Sequence, residues 1–331
     1  SNLYVLTAQS NSNEPGYQGG SYIYVTGGTL RGGMDAWVLN NTPNEDAGLN
    51  ISGGNFNADP TRYLADGCFV QENENGTYEV YNGTAVSTED ELTAALKAKA
   101  AKIYVTADMT ISNKWDNRFN GAKTSHTIEI DGLGHTLKFT DINDGANKGA
   151  VFYFTEDALV KNLKIDVSEA TYNFMVRAIT AAKNLTLQNC TFIGNLNHTR
   201  NNAVVVGDCG DSTLMWPYEV TITDCTFKDW RRSISDNENG KSEIQNVNIQ
   251  NNVFTSAPVN VSAHNNINFC NNVTDSDVRL TSYTNAANTK VKAIGNTLNT
   301  SKVNWIGAGT KYFSSANVEA QGEFTITTLD E

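Results

Sequence analysis

The sequence predicts a right-handed parallel β-helix, a single-stranded solenoid with coils of about 27 residues and one capping α-helix. Three observations lead to this fold. A short motif returns at a spacing typical of solenoids, each copy places turn-forming residues at the same point, and only one stretch of the chain has the periodicity of an amphipathic helix.

The repeated motif is an apolar residue, any residue, Asn, Asp or Gly, a small residue, any residue and a second apolar residue. Clear copies occupy residues 187–192, 222–227 and 249–254. With fainter copies, the starting positions are 160, 187, 222, 249, 269 and 293, which differ by 27, 35, 27, 20 and 24 residues. Repeats of about 20–50 residues indicate solenoids, propellers or arrays. A glycine-containing version, Val25–Leu30 and Ile51–Phe56, has a spacing of 26 residues.

The motif has a simple physical meaning. Alternating apolar side chains point inward from a strand, and Asn, Asp or Gly then turns the chain because these residues tolerate left-handed backbone angles. Equivalent residues of successive coils therefore stack. The predicted turn ladder consists of Asn162, Asn189, Asp224, Asn251 and Asn271. Cys190 and Cys225 are predicted to stack in the neighbouring inward row.

The single helical pattern covers residues 88–102. Thr88 and Glu91 form a capping-box signature, and Leu92, Ala95 and Leu96 form an apolar stripe. Because a solenoid has an open end, we expect this helix to cap the main stack. The shortage of helices excludes a βαβ fold, and the repeat is too short for propeller blades. The predicted domains are a small β-solenoid segment over residues 1–81 and the main β-helix over residues 82–331.

The charge and cysteine content limit the possible partners. The formal net charge is −12, from 24 Lys and Arg against 36 Asp and Glu. This balance argues against nucleic acid and an anionic membrane surface, and it favours a neutral ligand or a bound cation. No apolar run reaches the roughly 18 residues of a membrane span. Five cysteines without a CxxC pair argue against a disulfide framework or zinc site.

The copies at 187–192 and 222–227, together with Ile-Asp-Gly-Leu-Gly-His-Thr-Leu at 130–137, resemble the pectate-lyase-like β-helix superfamily over roughly residues 85–330. Residues 51–80 resemble a module of gut bacterial surface and phage appendage proteins. The superfamily includes polysaccharide lyases, glycoside hydrolases, adhesins and phage tailspikes or fibres. The resemblance is therefore specific for the fold and leaves the activity open.

A catalytic site would require paired carboxylates. If Val206, Ile234 and Val261 are equivalent, Asp208 and Asp236 lie at the same height on neighbouring coils, with His264 near the next equivalent position. Such a pair could share a proton, hold calcium or cleave a glycosidic bond, but both aspartates could equally be exposed turn residues. The Asn-Thr-Asp and Gly-His-Gly signatures of polygalacturonases are absent from the sequence.

A binding site requires less, namely aromatic side chains beside polar groups. Two adjacent long coils carry such residues, and solenoid insertions often form the binding face. The alternative is that Trp216 and Trp230 pack loops onto the stack. The candidate ligand-binding residues are His198, Arg200, Trp216, Tyr218, Trp230, Arg231 and Arg232.

Three hypotheses follow. The favoured one is a non-enzymatic surface or virion appendage, adhesin-like or fibre-like, that binds glycans or proteins and forms a homotrimer or larger assembly. The alternative is an extracellular polysaccharide lyase or glycoside hydrolase, and the third is a structural spacer. We expect an extracellular, cell-surface or virion location, no nucleic-acid partner and no membrane insertion. No cofactor or protein metal site is predicted, although calcium stays open. A cleft with converging carboxylates would favour an enzyme, and a flat Asn/Ser/Thr face would favour binding or scaffolding.

Overall fold

The chain divides into two compact units, Ser1–Ala85 and Val86–Glu331. The boundary at residues 81/82 and the solenoid character of residues 1–81 stay predictions. The computed structural model describes residues 4–10, 21–38, 47–112, 123–142, 149–171, 176–198, 201–207, 216–236, 244–263, 265–280, 290–298, 303–307, 309–313 and 324–328.

The first unit combines parallel and antiparallel pairing. Strands β2 and β4 run parallel with Val25 beside Ile51 and Leu30 beside Phe56, so the 26-residue spacing is that of one parallel pairing. Strand β6 pairs antiparallel with both β4 and β5. Val25, Ile51, Phe56 and Val80 form its buried core. The strands are β1 (Tyr4–Ser10), β2 (Ser21–Leu30), β3 (Gly33–Val38), β4 (Ala47–Phe56), β5 (Cys68–Glu72), β6 (Tyr78–Asn82) and β7 (Thr84–Val86), with a short 3-10 turn at Thr61–Tyr63.

Helix α1 (Glu89–Lys97) is shorter than predicted. It begins as expected, because the Thr88 hydroxyl accepts a hydrogen bond from the Glu91 backbone N–H at 3.2 Å. It ends five residues before residue 102 because Lys99 adopts a left-handed conformation with φ of 59°. Leu92 and Leu96 are buried in the same core as the first coils, as a cap requires.

The second unit is an all-β solenoid of about 8 turns with about 27 residues per coil. Its strands are β8 (Lys102–Val105), β9 (Met109–Ile111), β10 (Lys123–Thr124), β11 (Ile128–Asp131), β12 (Thr136–Phe139), β13 (Gly149–Phe154), β14 (Ala158–Lys161), β15 (Lys164–Asp166), β16 (Val176–Ala181), β17 (Leu185–Gln188), β18 (Thr191–Ile193), β19 (Asn201–Val206), β20 (Glu219–Thr223), β21 (Thr226–Lys228), β22 (Arg232–Asp236), β23 (Asn246–Gln250), β24 (Val253–Thr255), β25 (Val259–Val261), β26 (Asn266–Cys270), β27 (Val273–Thr274), β28 (Val278–Leu280), β29 (Lys290–Leu298), β30 (Val303–Gly307), β31 (Gly309–Phe313) and β32 (Phe324–Thr328).

These strands build three parallel faces. Sheet 1 contains β8, β11, β14, β17, β20, β23 and β26. Sheet 2 contains β9, β12, β15, β18, β21, β24 and β27. Long strand β29 extends both of them, and β32 follows it in sheet 2. Sheet 3 contains β10, β13, β16, β19, β22, β25, β28 and β30, with β31 added antiparallel.

The predicted repeat is confirmed by the strand register. Val160, Leu187, Ile222, Ile249 and Phe269 lie side by side in sheet 1. The last residues of the motif stack in sheet 2, where the Phe192 and Phe227 ring centroids are 5.0 Å apart and nearly parallel. Each stack fills the core with the same shape at every coil, which is why one short motif can specify the whole solenoid.

The turn between sheets 1 and 2 has the predicted backbone. Asn162, Asn189, Asp224, Asn251 and Asn271 all have positive φ, from 51° to 58°. Asn189 Nδ2 donates to Asn162 Oδ1 at 2.9 Å, which begins the predicted ladder. In the next inward row, Cys190 and Cys225 stack as predicted, since the Cys190 backbone N–H points to Cys225 Sγ at 3.4 Å.

A second hydrogen-bonded ladder continues this inward row and was not predicted. Asn252 Nδ2 donates to Asn272 Oδ1 at 3.0 Å, and Asn272 Nδ2 donates to Asn296 Oδ1 at 3.1 Å. The backbone N–H groups of Asn252 and Asn272 donate to the same oxygens at 2.9 Å. The repeated Asn-Asn pairs of the sequence carry the signal for two adjacent ladders, of which only the outer one was inferred.

Candidate functional site

The outer surface of sheet 1 is a flat stack of uncharged polar side chains. Because side chains alternate along a strand, the residues between the core positions face outward. Asn268 Nδ2 donates to Asn248 Oδ1 at 2.6 Å, so neighbouring coils are linked on the surface as well as in the core. We define the polar face as Thr186, Gln188, Thr221, Thr223, Asn248, Gln250 and Asn268, which lie in register in two adjacent rows.

One end of the polar face is charged. The Glu129 carboxylate forms ion pairs with Lys161 at 2.8 Å and with Lys102 at 3.2 Å. Lys161 also forms an ion pair with Asp131, at 3.3 Å. Burial works to raise the pKa of Glu129, but hydrogen bonds from the two lysines outweigh it and hold this pKa below its ordinary value. The carboxylates of this cluster are therefore neutralised by neighbours rather than directed at one point in solution.

A shallow groove of about 530 Å³ lies beside this cluster. Ala158 and Leu159 contribute apolar surface to its lining, while Glu129, Asp157 and Asn184 contribute polar groups. Asn184 Oδ1 accepts the backbone N–H of Tyr218 at 3.0 Å, which anchors the exposed Tyr218 to a groove residue. This combination of apolar surface and hydrogen-bonding groups is typical of a site for an uncharged polar ligand.

The register of sheet 3 corrects the alignment on which the carboxylate pair depended. Val206 lies beside Asp236 rather than Ile234, and Ile234 lies beside Val259 rather than Val261. The assumed equivalence was therefore wrong by two residues, and Asp236 is level with Val206. Asp208 and His264 lie outside the described residues, so their proposed catalytic roles stay predictions.

Asp236 is buried in an otherwise apolar row. Its register neighbours towards the start of the stack are Val206, Ala181 and Phe154, all of them core residues. The residue has 0% exposure, and neither carboxylate oxygen makes a well-formed hydrogen bond, although Ser262 lies near enough to oppose the effect of burial. Burial raises the pKa of Asp236 to about 7, with Ser262 and the Arg232 charge working in the opposite direction. A carboxyl group without solvent contact does not meet a polymeric substrate in this arrangement, and its catalytic role stays a prediction.

Trp230 is a core residue rather than a ligand-binding one, which corrects that assignment. It has 0% exposure, and its indole Nε1 donates to the Phe192 carbonyl at 3.0 Å. Its ring lies so close to Gly194 that a Cβ there would approach it to 2.7 Å. Trp216 is half-buried and packs on Gly207, where any Cβ would overlap its ring. Both tryptophans therefore pack against the stack, which was the alternative to ligand binding.

The other candidate binding residues are not gathered into one site. Tyr218 is 62% exposed and belongs to the groove end of sheet 1. Arg231 is exposed, and its backbone N–H donates to Asn201 Oδ1 at 2.8 Å. Arg232 and His198 are half-buried. Arg200 lies outside the described residues, and the binding roles of this group stay predictions.

Comparison with known protein families shows which family the first part of the solenoid resembles. Residues 83–205 match the family described as a pectate lyase-like adhesive domain. The chain forms a pectate-lyase-like parallel β-helix. The matched residues run from the strand before the capping helix into β19, so the match covers the helix and the first coils. Comparisons with curated proteins and with solved structures find no match.

The described part of this β-helix holds no ready-made metal centre. Among those residues, no three His, Cys, Asp or Glu side chains come together as a potential metal-binding group. Cys68, Cys190, Cys225 and Cys270 are free thiols. No helix in the described ranges is long and apolar enough to cross a membrane.

Proposed function

We propose that this β-helix is a non-enzymatic adhesive module that binds glycans through the polar face of sheet 1. The observation that carries the proposal is the face itself, a flat, in-register stack of Thr, Asn and Gln side chains. Such a surface offers hydrogen-bond donors and acceptors at a spacing of about 4.8 Å, the distance between coils. The match of residues 83–205 to an adhesive family supports the adhesive part of this proposal.

The groove beside the charged end supports a glycan more than a protein partner. Leu159 and Ala158 offer apolar surface to the C–H face of a sugar ring, and Asp157 and Asn184 offer groups for its hydroxyls. A protein partner would instead need a larger apolar patch, and large exposed apolar residues are few in the described part of the chain, with Val253 and Val273 as one adjacent pair.

An adhesive role places the module outside the cell, on a cell surface or as part of a virion appendage, and we propose that it acts there as a homotrimer or larger assembly. Solution light scattering on the whole chain tests the assembly. A molar mass of three or more chains is expected, and the 36.0 kDa mass of one chain would overturn this part of the proposal.

The binding proposal is tested by placing a bulky charge on the polar face. Thr221→Arg projects from sheet 1, and Thr226→Arg projects from sheet 2 on the same coil, which makes it a matched control. We expect glycan-array or affinity-gel binding to weaken at least about tenfold for Thr221→Arg and to be unchanged for Thr226→Arg. Equal binding by both variants and the wild type would exclude the polar face as the site.

A polysaccharide-cleaving enzyme is the second candidate, and one observation favours it. A pKa near 7 suits a general acid, and burial gives Asp236 such a value, so this candidate requires an opening that brings the buried carboxyl group to the substrate. Acidic and neutral polysaccharides would be offered with calcium to the wild type and to Asp208→Asn/Asp236→Asn. Cleavage that disappears in the double variant would establish the enzyme, whereas glycan retention without cleavage supports the adhesive module.

A further inference from the structure

Strand β2 of the first unit carries a glycine pair whose counterpart in β4 is required by contact with another strand. Gly27 and Gly28 occupy the motif positions of Gly53 and Gly54, 26 residues earlier in the chain. A Cβ at Gly53 would approach the Thr26 carbonyl oxygen of β2 to 2.6 Å. Glycine is therefore required in β4 because the backbone of a neighbouring strand lies so close to it.

In β2 the same glycine pair has open space beside it. A Cβ at Gly27 or at Gly28 would meet no atom within 4 Å, and both glycines are exposed, as are Thr26 and Thr29. Among the described residues, the only strand paired with β2 is β4. The motif thus repeats a feature that suits a close backbone neighbour, at an edge where the described part of the chain places none.

The strand also lacks the usual protection of a sheet edge. Natural edge strands carry charged side chains or proline, or are covered by another segment. Strand β2 has neither a charged residue nor a proline over its 10 residues. Its apolar row is less covered than that of β4, since Val25 is 8% exposed and its register partner Ile51 is 0% exposed. This edge therefore suits the addition of a further strand.

The motif in β2 is self-complementary for a strand of opposite direction. From the centre of the glycine pair, residues 25–30 run Gly, Thr and aliphatic residue in either direction. In an antiparallel pair centred there, the glycines of one chain lie opposite those of the other, and the threonines lie opposite threonines. Val25 then lies opposite Leu30, which puts aliphatic side chains together across the strands.

The irregular backbone at the glycines does not prevent such pairing. Gly28 has φ of 93° and Gly54 has φ of 121°, and the register between β2 and β4 shifts at this point. Even so, β4 pairs parallel with β2 on one edge and antiparallel with β6 on the other. The antiparallel pairing includes Gly54 itself, which lies opposite Val80. The glycine motif therefore accepts a strand of either direction.

We propose that β2 pairs with β2 of a second copy of this chain, antiparallel and about a twofold axis through the glycine pair. The four-stranded sheets of the two first units then join edge to edge into one continuous sheet. The glycines let the two backbones approach closely, and main-chain hydrogen bonds hold the strands together. A second copy fits better than an unrelated strand because a twofold contact requires a self-complementary edge, which the motif supplies. The contact does not involve the polar face of sheet 1, and it goes beyond the proposed function.

The experiment measures the molar mass of the whole chain by light scattering over a range of concentrations. Thr26→Glu/Thr29→Glu places carboxylates opposite carboxylates across the pair, and their repulsion should prevent pairing. A twofold contact doubles whichever assembly the rest of the chain forms, so this variant should have half the wild-type molar mass. Asn82→Glu/Thr84→Glu adds the same charge at two exposed positions of the same unit and should keep the wild-type mass.

A charge swap keeps the test decisive where a substitution merely disturbs the fold. Thr26→Lys/Thr29→Lys should also have half the wild-type mass when measured alone. An equimolar mixture of the lysine and glutamate variants should recover the wild-type mass, because opposite charges then face each other. Misfolding of either variant would not be reversed by mixing.

The role of the glycines is tested separately. Gly53→Ala should lower the unfolding temperature, because its Cβ overlaps the Thr26 carbonyl oxygen. Gly27→Ala should leave the unfolding temperature of the unpaired chain unchanged and raise the concentration needed for half-association about tenfold or more. Association of Gly27→Ala at the wild-type concentration would show that no second backbone approaches Gly27, which contradicts the proposed pairing.

Three further outcomes overturn the inference. They are a wild-type mass of 36.0 kDa at every concentration, equal masses for the wild type and the glutamate variant, and a charge-swap mixture that stays at half the mass. A mass of three chains in both the wild type and the glutamate variant would exclude the β2 contact and leave the proposed trimer intact. A single-chain mass would exclude both assemblies, while glycan binding by the polar face would still be judged by Thr221→Arg.

Discussion

Two places in the same solenoid bury polar side chains, and they do so in opposite ways. In the turn between sheets 1 and 2, Asn252, Asn272 and Asn296 stack and exchange hydrogen bonds. In sheet 3, Asp236 stands in an apolar row, and its two oxygens make no well-formed hydrogen bond. All four residues are 3% exposed or less, so burial alone does not distinguish them.

The difference is whether the neighbouring coils repeat the polar residue. An asparagine carries both a donor and an acceptor, so identical residues one coil apart satisfy one another. A lone carboxyl group beside Val206 finds neither a donor nor an acceptor on that neighbour in its row. A repeat protein therefore tolerates a buried polar group when the repeat copies it, and an uncopied polar group is a mark of strain or function.

Breaking the satisfied ladder should have the largest effect on stability. Asn272→Ala removes the acceptor for the Asn252 backbone and amide groups, the donor to Asn296 Oδ1 and the donor to the Ile249 carbonyl at 3.0 Å. Each abandoned buried group costs about 1–3 kcal/mol, so we expect the free energy of unfolding to fall by about 5 kcal/mol. Chemical denaturation measures this loss, with Asn271→Ala in the exposed outer turn as control. A loss under about 1 kcal/mol would show that the ladder is not a stabilising element.

Removing the unsatisfied carboxyl group of Asp236 should raise the free energy of unfolding rather than lower it. Asp236→Val copies its register neighbour Val206 and should stabilise the protein at neutral pH. In the wild type, the unfolded chain loses the Asp236 proton near the ordinary pKa of 3.8, whereas the folded chain keeps it until about pH 7. Stability is therefore lost as pH rises between these values, by on the order of 4 kcal/mol, and is constant above them.

The measurement is the free energy of unfolding of wild type and Asp236→Val from pH 4 to pH 8. The gap between the two proteins should widen with pH up to about pH 7, where the carboxyl group ionises. Asp224→Asn, in an exposed turn of the same unit, controls for the loss of one acidic residue. If the free energies of unfolding of wild type and Asp236→Val change equally with pH, Asp236 is not the group that causes the pH dependence.

Extending the ladder should have the smallest effect. Cys225 is next in the inward row, and its backbone N–H already donates to Asn252 Oδ1 at 2.8 Å. Cys225→Asn offers Asn252 Oδ1 a second donor and supplies an acceptor for the Cys190 backbone N–H. We expect a gain of about 1 kcal/mol in the free energy of unfolding. Cys225→Ala, which offers neither group, should lose stability, and a Cys225→Asn variant no more stable than Cys225→Ala would show that the ladder ends at Asn252.

Much of the fold was predictable because its signals are local. Left-handed turns at Asn162, Asn189 and Asn251 depend on residue type, and inward stacking depends on alternation along a strand. The capping helix was placed by its first turn, although its end was predicted too late because nothing in the apolar stripe indicates the left-handed Lys99. The candidate site was less predictable. The sequence around Trp230 does not distinguish a tryptophan that packs in the core from one that contacts a ligand.

The sequence by itself determined the parallel β-helix, the coil length and the position of its turns, since each follows from short patterns repeated along the chain. Only the tertiary structure decided the register of sheet 3. Its strands are separated by segments of unequal length, so equivalence there is set by hydrogen bonding between coils and not by spacing. That register placed Asp236 beside Val206, and it aligned Arg177, Asn202 and Arg232 on successive strands.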